Sequence, residues 1–256
     1  MQHLFGPDGE VALARALRQR PLLAFDFDGT LAPIVARAED ARLSTAVSAR
    51  LKALATQLPL AIVTGRTVAD VRGRLGFEPQ FLVGNHGAED AQDPQASVAF
   101  IQGLEGLRLR LQARQADLDA AGIAVEDKGV SLALHYRLSR LREQALALIT
   151  QVLHPRDPAW RVFGGKMVVN IMARDAPDKA AAVRTLMARC GAHCAVFAGD
   201  DINDEPVFES APPHWLTIRI GRGEGKSLAR YFLDSPNEMA MLLESMLKQL
   251  PLLASD

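Results

Sequence analysis

The feature that most constrains this chain is a series of short apolar runs, each ending at a polar turn and separated from the next by a helix-length stretch. Pro21-Leu-Leu-Ala-Phe25 ends at Asp26, Leu58–Val63 ends at Thr64, and Phe81–Val83 ends at Gly84. Such runs describe strands buried on both faces, as in a parallel sheet. Between them Ser44 is placed to cap a helix through Gln57, and Val68–Leu75 reads as a second helix. The βαβαβ order requires right-handed crossovers and a Rossmann-like parallel sheet. A helical stretch, Val11–Gln19, precedes it. The same grammar resumes at Asp178, with a helix to Arg189, a strand Ala195–Ala198, a helix after Asn203, a strand Leu216–Ile220 and a last helix from Pro236.

The middle of the chain reads differently, because its strands come in closely spaced pairs that only antiparallel hairpins can accommodate. A helix is expected over Ile101–Ala121, with Leu104, Leu107, Leu111 and Leu118 near one face. Strands Ile123–Glu126 and Val130–Arg137 follow, joined at Asp127-Lys128-Gly129. A helix Ser139–Leu153 then leads to Trp160–Phe163 and Lys166–Ile171, turning at Gly164-Gly165. The expectation is an α/β protein whose Rossmann-like core, residues 1–92 and 176–256, is interrupted by an αββαββ domain of α+β type over 93–175. Both pieces fall within the usual size range of domains.

Charge and composition exclude some functions. Lys and Arg number 29 against 30 Asp and Glu, a net charge of −1, which argues against a nucleic-acid partner held by the overall field. The longest apolar segments fall well short of the roughly 20 residues that span a bilayer, so no membrane partner is expected. Met1–Glu10 lacks a basic-then-apolar leader pattern, and the mature protein is expected to start near Met1. Cys190 and Cys194 are too few for a disulfide framework. With His193 between them they outline a metal half-site, but the preferred reading is structural, with Cys194 opening a buried strand. A reducing cytoplasm and a monomer are the expectations. Gly225-Lys226-Ser227 is no P-loop, since Ile220 stands where the motif needs glycine; Gly221–Gly225 reads as a turn.

Four polar groups sit where strands end. In Asp26-Phe27-Asp28-Gly29-Thr30 the carboxylates are two residues apart and face one space above the sheet's carboxyl edge, where ligands of such sheets bind. An isolated Asp-x-Asp is more often a pair of loop caps. Thr64-Gly65-Arg66 offers a hydroxyl, a glycine that lets backbone N–H groups approach an anion, and a guanidinium; alone, it would read as an ordinary helix cap. Lys179 opens a helix, where a cation opposes the macrodipole unless it serves an anion. Gly199-Asp200-Asp201-Ile202-Asn203-Asp204-Glu205 places three aspartates within five residues. Such carboxylates either spread into solvent or hold a hard cation, and Mg²⁺ suits them.

These four groups, in this order and these strand contexts, resemble the haloacid dehalogenase (HAD) superfamily of phosphotransferases. The resemblance implies Asp26 as the nucleophile that forms an aspartyl-phosphate, Asp28 as general acid and then base, and Asp28, Thr64, Gly65 and Lys179 around the phosphoryl group. It implies Mg²⁺ on Asp26, the Asp28 carbonyl and Asp200, with Asp201 and Asp204 in support. An acid at position 28 also disfavours carbon–halogen chemistry. The inserted αββαββ domain lies where that superfamily carries a type-two cap, which closes over the site.

The likeness narrows to the trehalose-6-phosphate phosphatase family through Phe25-Asp-Phe-Asp-Gly-Thr-Leu-Ala-Pro33, Ile62-Val-Thr-Gly-Arg66, Gly84-Asn-His-Gly-Ala-Glu89, Glu126-Asp-Lys-Gly129, Ala133-Leu-His-Tyr-Arg137 and Gly165-Lys-Met-Val-Val169. By that resemblance Arg66, His86, Glu126, Lys128, Lys166 and Asn170 contact a sugar phosphate. A charged pair at a hairpin turn is otherwise a solvated tip, and His86 and Lys166 also have plain structural readings. The family typically carries glutamate where Asn170 stands and glycine where Ala180 stands. Asn170 therefore leaves open another sugar ester: sucrose 6-phosphate, mannosylglycerate phosphate or a hexose phosphate. A phosphate-binding regulatory module is a further alternative, although it would need neither Asp28 nor a cap.

Overall fold

The computed structural model describes residues 1–35, 37–222 and 226–253. Residues 223–225 of the Gly221–Gly225 segment therefore lie outside the described residues. The chain divides into two compact units, Met1–Gly87 with Pro177–Asp256, and Ala88–Ala176.

The first unit begins with β1 (Gln2–His3), α1 (Pro7–Arg18) and β2 (Leu22–Phe25), followed by α2 (Thr45–Ala55), β3 (Leu60–Val63), α3 (Val68–Leu75) and β4 (Phe81–Gly84). Local chemistry sets the helix ends. The Ser44 hydroxyl accepts from Val47 N at the start of α2, and Thr67 accepts from Asp70 N at the start of α3. Every residue of β2, β3 and β4 is buried. Full burial of Leu22, Leu23 and Phe25 contributes roughly 1.5–3 kcal/mol each, which anchors β2 beneath the polar turn it carries.

The second unit contains β5 (Glu89–Asp90), α4 (Val98–Gln102), α5 (Glu105–Ala113), α6 (Gln115–Ala120), β6 (Ala124–Asp127), β7 (Ser131–His135), α7 (Arg142–Val152), β8 (Trp160–Gly165) and β9 (Val168–Ala173). Strands β6, β7, β9 and β8 form, in that order, one antiparallel sheet. Leu104, Leu107, Leu111 and Leu118 pack with Leu132, Leu134, Ile149 and Ile171 in its core. The expected single helix over 101–121 is broken into three. At the first break the Gly103 carbonyl leaves the helical ladder and accepts the Trp160 indole N–H at 3.0 Å. The second hairpin turns at Lys166-Met167 rather than at the two glycines, because Gly164 and Gly165 stay in the ladder opposite Val169 and Val168. Met167 takes the left-handed conformation that this short turn needs, with φ 61°.

The first unit resumes with α8 (Lys179–Cys190), β10 (Ala195–Gly199), α9 (Glu205–Ser210), β11 (Leu216–Ile220), β12 (Tyr231–Leu233) and α10 (Asn237–Leu253). Its strands run parallel in the order β1-β12-β11-β10-β2-β3-β4. One sheet is thus interrupted and completed, with the late strand β10 seated beside the early β2. Two residues make up β1 and three make up β12, too little chain for a periodicity to be read. Leu22, Ala24, Ala61, Val63 and Phe197 face a core shared with Ala180, Val183, Leu186 and Met187 of α8, while α10 packs against α1 and α2. Cys194 is buried just before β10, and its carbonyl accepts from Leu22 N. Burial pushes its thiol up to about 11, and neither cysteine joins a metal-binding cluster among the described residues.

Candidate active site

Asp26, Thr64 and Asp200 directly follow β2, β3 and β10, three neighbouring parallel strands. The sheet therefore delivers them to one carboxyl edge, and α8 adds Lys179 from its first residue. Asp26, Asp200 and Asp204 are buried, with carboxylate oxygens within 4.8 Å of one another.

Lys179 is only 1% exposed. Its ammonium donates to Asp26 Oδ1 at 2.8 Å and to Asp204 Oδ1 at 2.7 Å. Burial alone would lower the lysine's pKa, but the Asp204 and Asp26 charges outweigh that and hold it protonated. Burial drives the Asp26 carboxyl well above its ordinary range. Lys179 opposes that shift, and the Asp204 and Asp200 charges add to it.

The other Asp204 oxygen accepts from the backbone N–H groups of Asp200 and Asp201, both at 3.0 Å. Asp201 in turn accepts from Ile202 N at 2.8 Å and from the Asn203 amide at 3.1 Å. Both Asp204 oxygens are thus committed to holding the loop and the lysine. The cluster is all-oxygen, carries more negative charge than one ammonium balances, and suits a hard cation. Gly29 fits it closely: with φ +76°, a Cβ there would lie 2.0 Å from Asp200 Oδ2. Only glycine combines that conformation with that approach.

Asp28 is held by Arg66 in a fork, Nε to Oδ2 at 2.6 Å and Nη2 to Oδ1 at 2.7 Å. Arg66 also donates to Asp70 Oδ2 at 2.6 Å and to the Ala38 carbonyl at 2.8 Å, and lies over the Phe27 ring. Its donors are thus turned to the protein. Asp70 binds Arg74 as well. Thr64 is buried, and its hydroxyl accepts from Arg66 N at 3.2 Å. His86 is buried with a left-handed backbone, φ 58°. Its ring packs so closely on Gly65 that a Cβ there would lie 2.4 Å from His86 Cε1. Thr30 is buried too, and its hydroxyl has no hydrogen-bond partner among the described residues.

In the second unit Glu126 joins His135 at 2.8 Å and Lys128 at 3.6 Å. The His135 hydrogen bond, with the nearby Lys128 charge, holds Glu126 below the usual carboxylate range despite partial burial. Asn170 is 4% exposed and lies in register between Ala133 and Phe163, in the same row as Glu126. Lys166 is exposed at the hairpin tip. Sequence reasoning passed over His135, Asp70 and Arg74. The i, i+4 spacing of Arg66, Asp70 and Arg74 was the available signal.

The parallel core and the inserted α+β unit define a HAD-type fold. Solved structures share it. A trehalose-6-phosphate phosphatase related protein aligns with a TM-score of 0.72 at 24% identity, over 89% of this chain and 98% of that one. The C-terminal domain of the C. albicans trehalose-6-phosphate phosphatase aligns with a TM-score of 0.77 at 20% identity, over 94% and 96%. The trehalose-phosphatase family profile matches residues 24–237. The trehalose-phosphate phosphatase of Mycobacterium ulcerans (strain Agy99) is 31% identical over 265 residues, 98% of this chain and 66% of that protein. The chain belongs to the trehalose-phosphatase family. It spans 66% of the length of the trehalose-phosphate phosphatases of Mycobacterium ulcerans (strain Agy99) and Mycobacterium bovis (strain BCG / Pasteur 1173P2).

Proposed function

We propose that the protein is a Mg²⁺-dependent phosphatase that hydrolyses trehalose 6-phosphate to trehalose and phosphate through an Asp26 phosphoenzyme. The observation that carries this reading is the buried Lys179 bridge between Asp26 and Asp204, set beside Asp200. It fixes one oxygen of Asp26 and leaves the carboxylate oriented for attack.

Asp26 and Asp200, with the Asp28 carbonyl, are the ligands proposed for Mg²⁺; Asp204 and Asp201 support them, since their oxygens are engaged within the loop. The cation would offset the repulsion between an attacking carboxylate and a phosphate dianion. Lys179, the Thr64 hydroxyl and the Gly65 N–H are the proposed donors to phosphoryl oxygens. Asp26 forms a bond to phosphorus as the ester P–O bond breaks, and the departing sugar oxygen takes a proton from the Asp28 carboxyl. Water then gives a proton to the Asp28 carboxylate and its oxygen to phosphorus, releasing phosphate and restoring Asp26.

The unit 88–176 is proposed as the cap, with Glu126, Lys128, Lys166 and Asn170 recognising sugar hydroxyls; His86 is proposed as a further substrate contact. Asn170 is the position at which another sugar ester would be selected. The test is phosphate release from a panel of trehalose, sucrose, mannosylglycerate and hexose phosphates, with Mg²⁺ or with EDTA, for wild type and Asp26→Asn. Metal-dependent turnover confined to trehalose 6-phosphate and lost in the variant is expected. A preference for another ester would overturn the substrate, and turnover surviving Asp26→Asn would overturn the mechanism.

A further inference from the structure

We propose that Asp70 and Arg74 are positioning residues for leaving-group protonation, acting on Asp28 through Arg66. The inference rests on the phosphatase reading above. Three residues four apart, Arg66, Asp70 and Arg74, run from just before α3 to its last turn, so their side chains share one face. The contacts are continuous. Arg74 grips Asp70 Oδ1 through Nε at 3.0 Å, Asp70 Oδ2 accepts Arg66 Nη1 at 2.6 Å, and Arg66 forks onto both oxygens of Asp28.

Each cation is also tied to the same stretch of backbone. Arg66 donates to the Ala38 carbonyl at 2.8 Å, and Arg74 donates to Glu39 O at 2.7 Å and Ala41 O at 3.3 Å. The side chains of Arg66 and Arg74 are 10% and 12% exposed, whereas that of Asp28 is 41% exposed. A half-exposed carboxylate on a turn would sample several rotamers. Here a buried guanidinium fixes it, and that guanidinium is itself fixed on its far side by Asp70 and beneath by Phe27. A geometry this constrained is what proton transfer to a departing oxygen requires. An ion-pair ladder that only stabilised α3 would need no fork onto Asp28.

The two roles separate by leaving group. A sugar alkoxide needs a proton as the P–O bond breaks, while p-nitrophenolate leaves without one. The measurement is kcat/KM, which ends at transfer to Asp26, for trehalose 6-phosphate and p-nitrophenyl phosphate in wild type, Asp70→Asn and Arg74→Met. Thermal unfolding identifies any variant that fails to fold. For a folded variant the expected result is a loss of about 10- to 100-fold on the sugar ester against a change within about threefold on the aryl ester. Equal losses on both esters, or no loss on either, would overturn the proposal. Wild-type cleavage of another sugar phosphate instead of trehalose 6-phosphate would overturn the substrate reading alone, and the same comparison would then use that ester. A wild type inactive on every ester would overturn both.

Discussion

Replacing Lys179 with methionine keeps the side chain's volume and removes the one ammonium that bridges Asp26 and Asp204. Lys179 is 1% exposed on its side chain, Asp26 7% and Asp204 0%, so water cannot take over the solvation that the ammonium supplied. Removing one partner of a buried pair costs about 3–5 kcal/mol. At about 2–4 °C per kcal/mol for a chain of this size, Tm should fall by about 6–20 °C. The sign of the pH dependence follows from Asp26. Its folded pKa lies above its unfolded value, so its contribution to stability is fully present below the unfolded value and is lost as pH rises through the folded one. Without Lys179 that folded value rises further, and the deficit of the variant should therefore grow between pH 5 and pH 8. Millimolar Mg²⁺ should recover part of it by restoring positive charge to the cluster. The assay is thermal unfolding of both proteins at the two pH values, with Mg²⁺ and with EDTA. A shift under about 2 °C, indifferent to pH and to Mg²⁺, would show that Lys179 does not balance these carboxylates.

Gly29→Ala puts a methyl group 2.0 Å from Asp200 Oδ2 in a backbone conformation alanine disfavours; Mg²⁺-dependent phosphate release should drop by at least about 100-fold, and Mg²⁺ should lose its effect on Tm. Trp160→Phe leaves the Gly103 carbonyl without its indole donor, and chemical denaturation should report a loss of about 1–3 kcal/mol in the second unit. His135→Phe removes the hydrogen bond that chiefly holds Glu126 below its ordinary value of 4.5. Because a depressed carboxylate stabilises above its unfolded pKa and ceases to do so as pH falls through the folded one, the variant's deficit, less than about 1 kcal/mol at this half-exposed site, should be seen at pH 7 and vanish near pH 3.

Much of this arrangement is legible in the chain itself. Each strand under the site is a short run with no polar residue, too short for a typical helix and suited to a sheet covered on both faces. The polar group after each run then lands at the carboxyl edge, because a parallel sheet sends every strand end the same way. That reasoning put Asp26, Thr64 and Asp200 at the ends of neighbouring strands, and the close spacing of the middle strands foretold their antiparallel pairing. It misplaced the second hairpin, since the two glycines that usually mark a turn kept their ladder bonds and Met167 took the left-handed position instead. It also read 101–121 as one helix, because periodicity records which face is apolar and is blind to the carbonyl that Trp160 draws from Gly103.

What the sequence by itself determined is the set of groups at the sheet edge and their order, because apolar periodicity and strand ends are local properties of the chain. What only the tertiary structure decided is how those groups are shared. Lys179 meets Asp26 across 153 positions of sequence and Asp204 across 25, and Arg66 turns its donors to Asp28 and Asp70. Which carboxylate a cation serves is settled by distance and burial, and both arise only when β10 is seated against β2 and α8 is laid beside them.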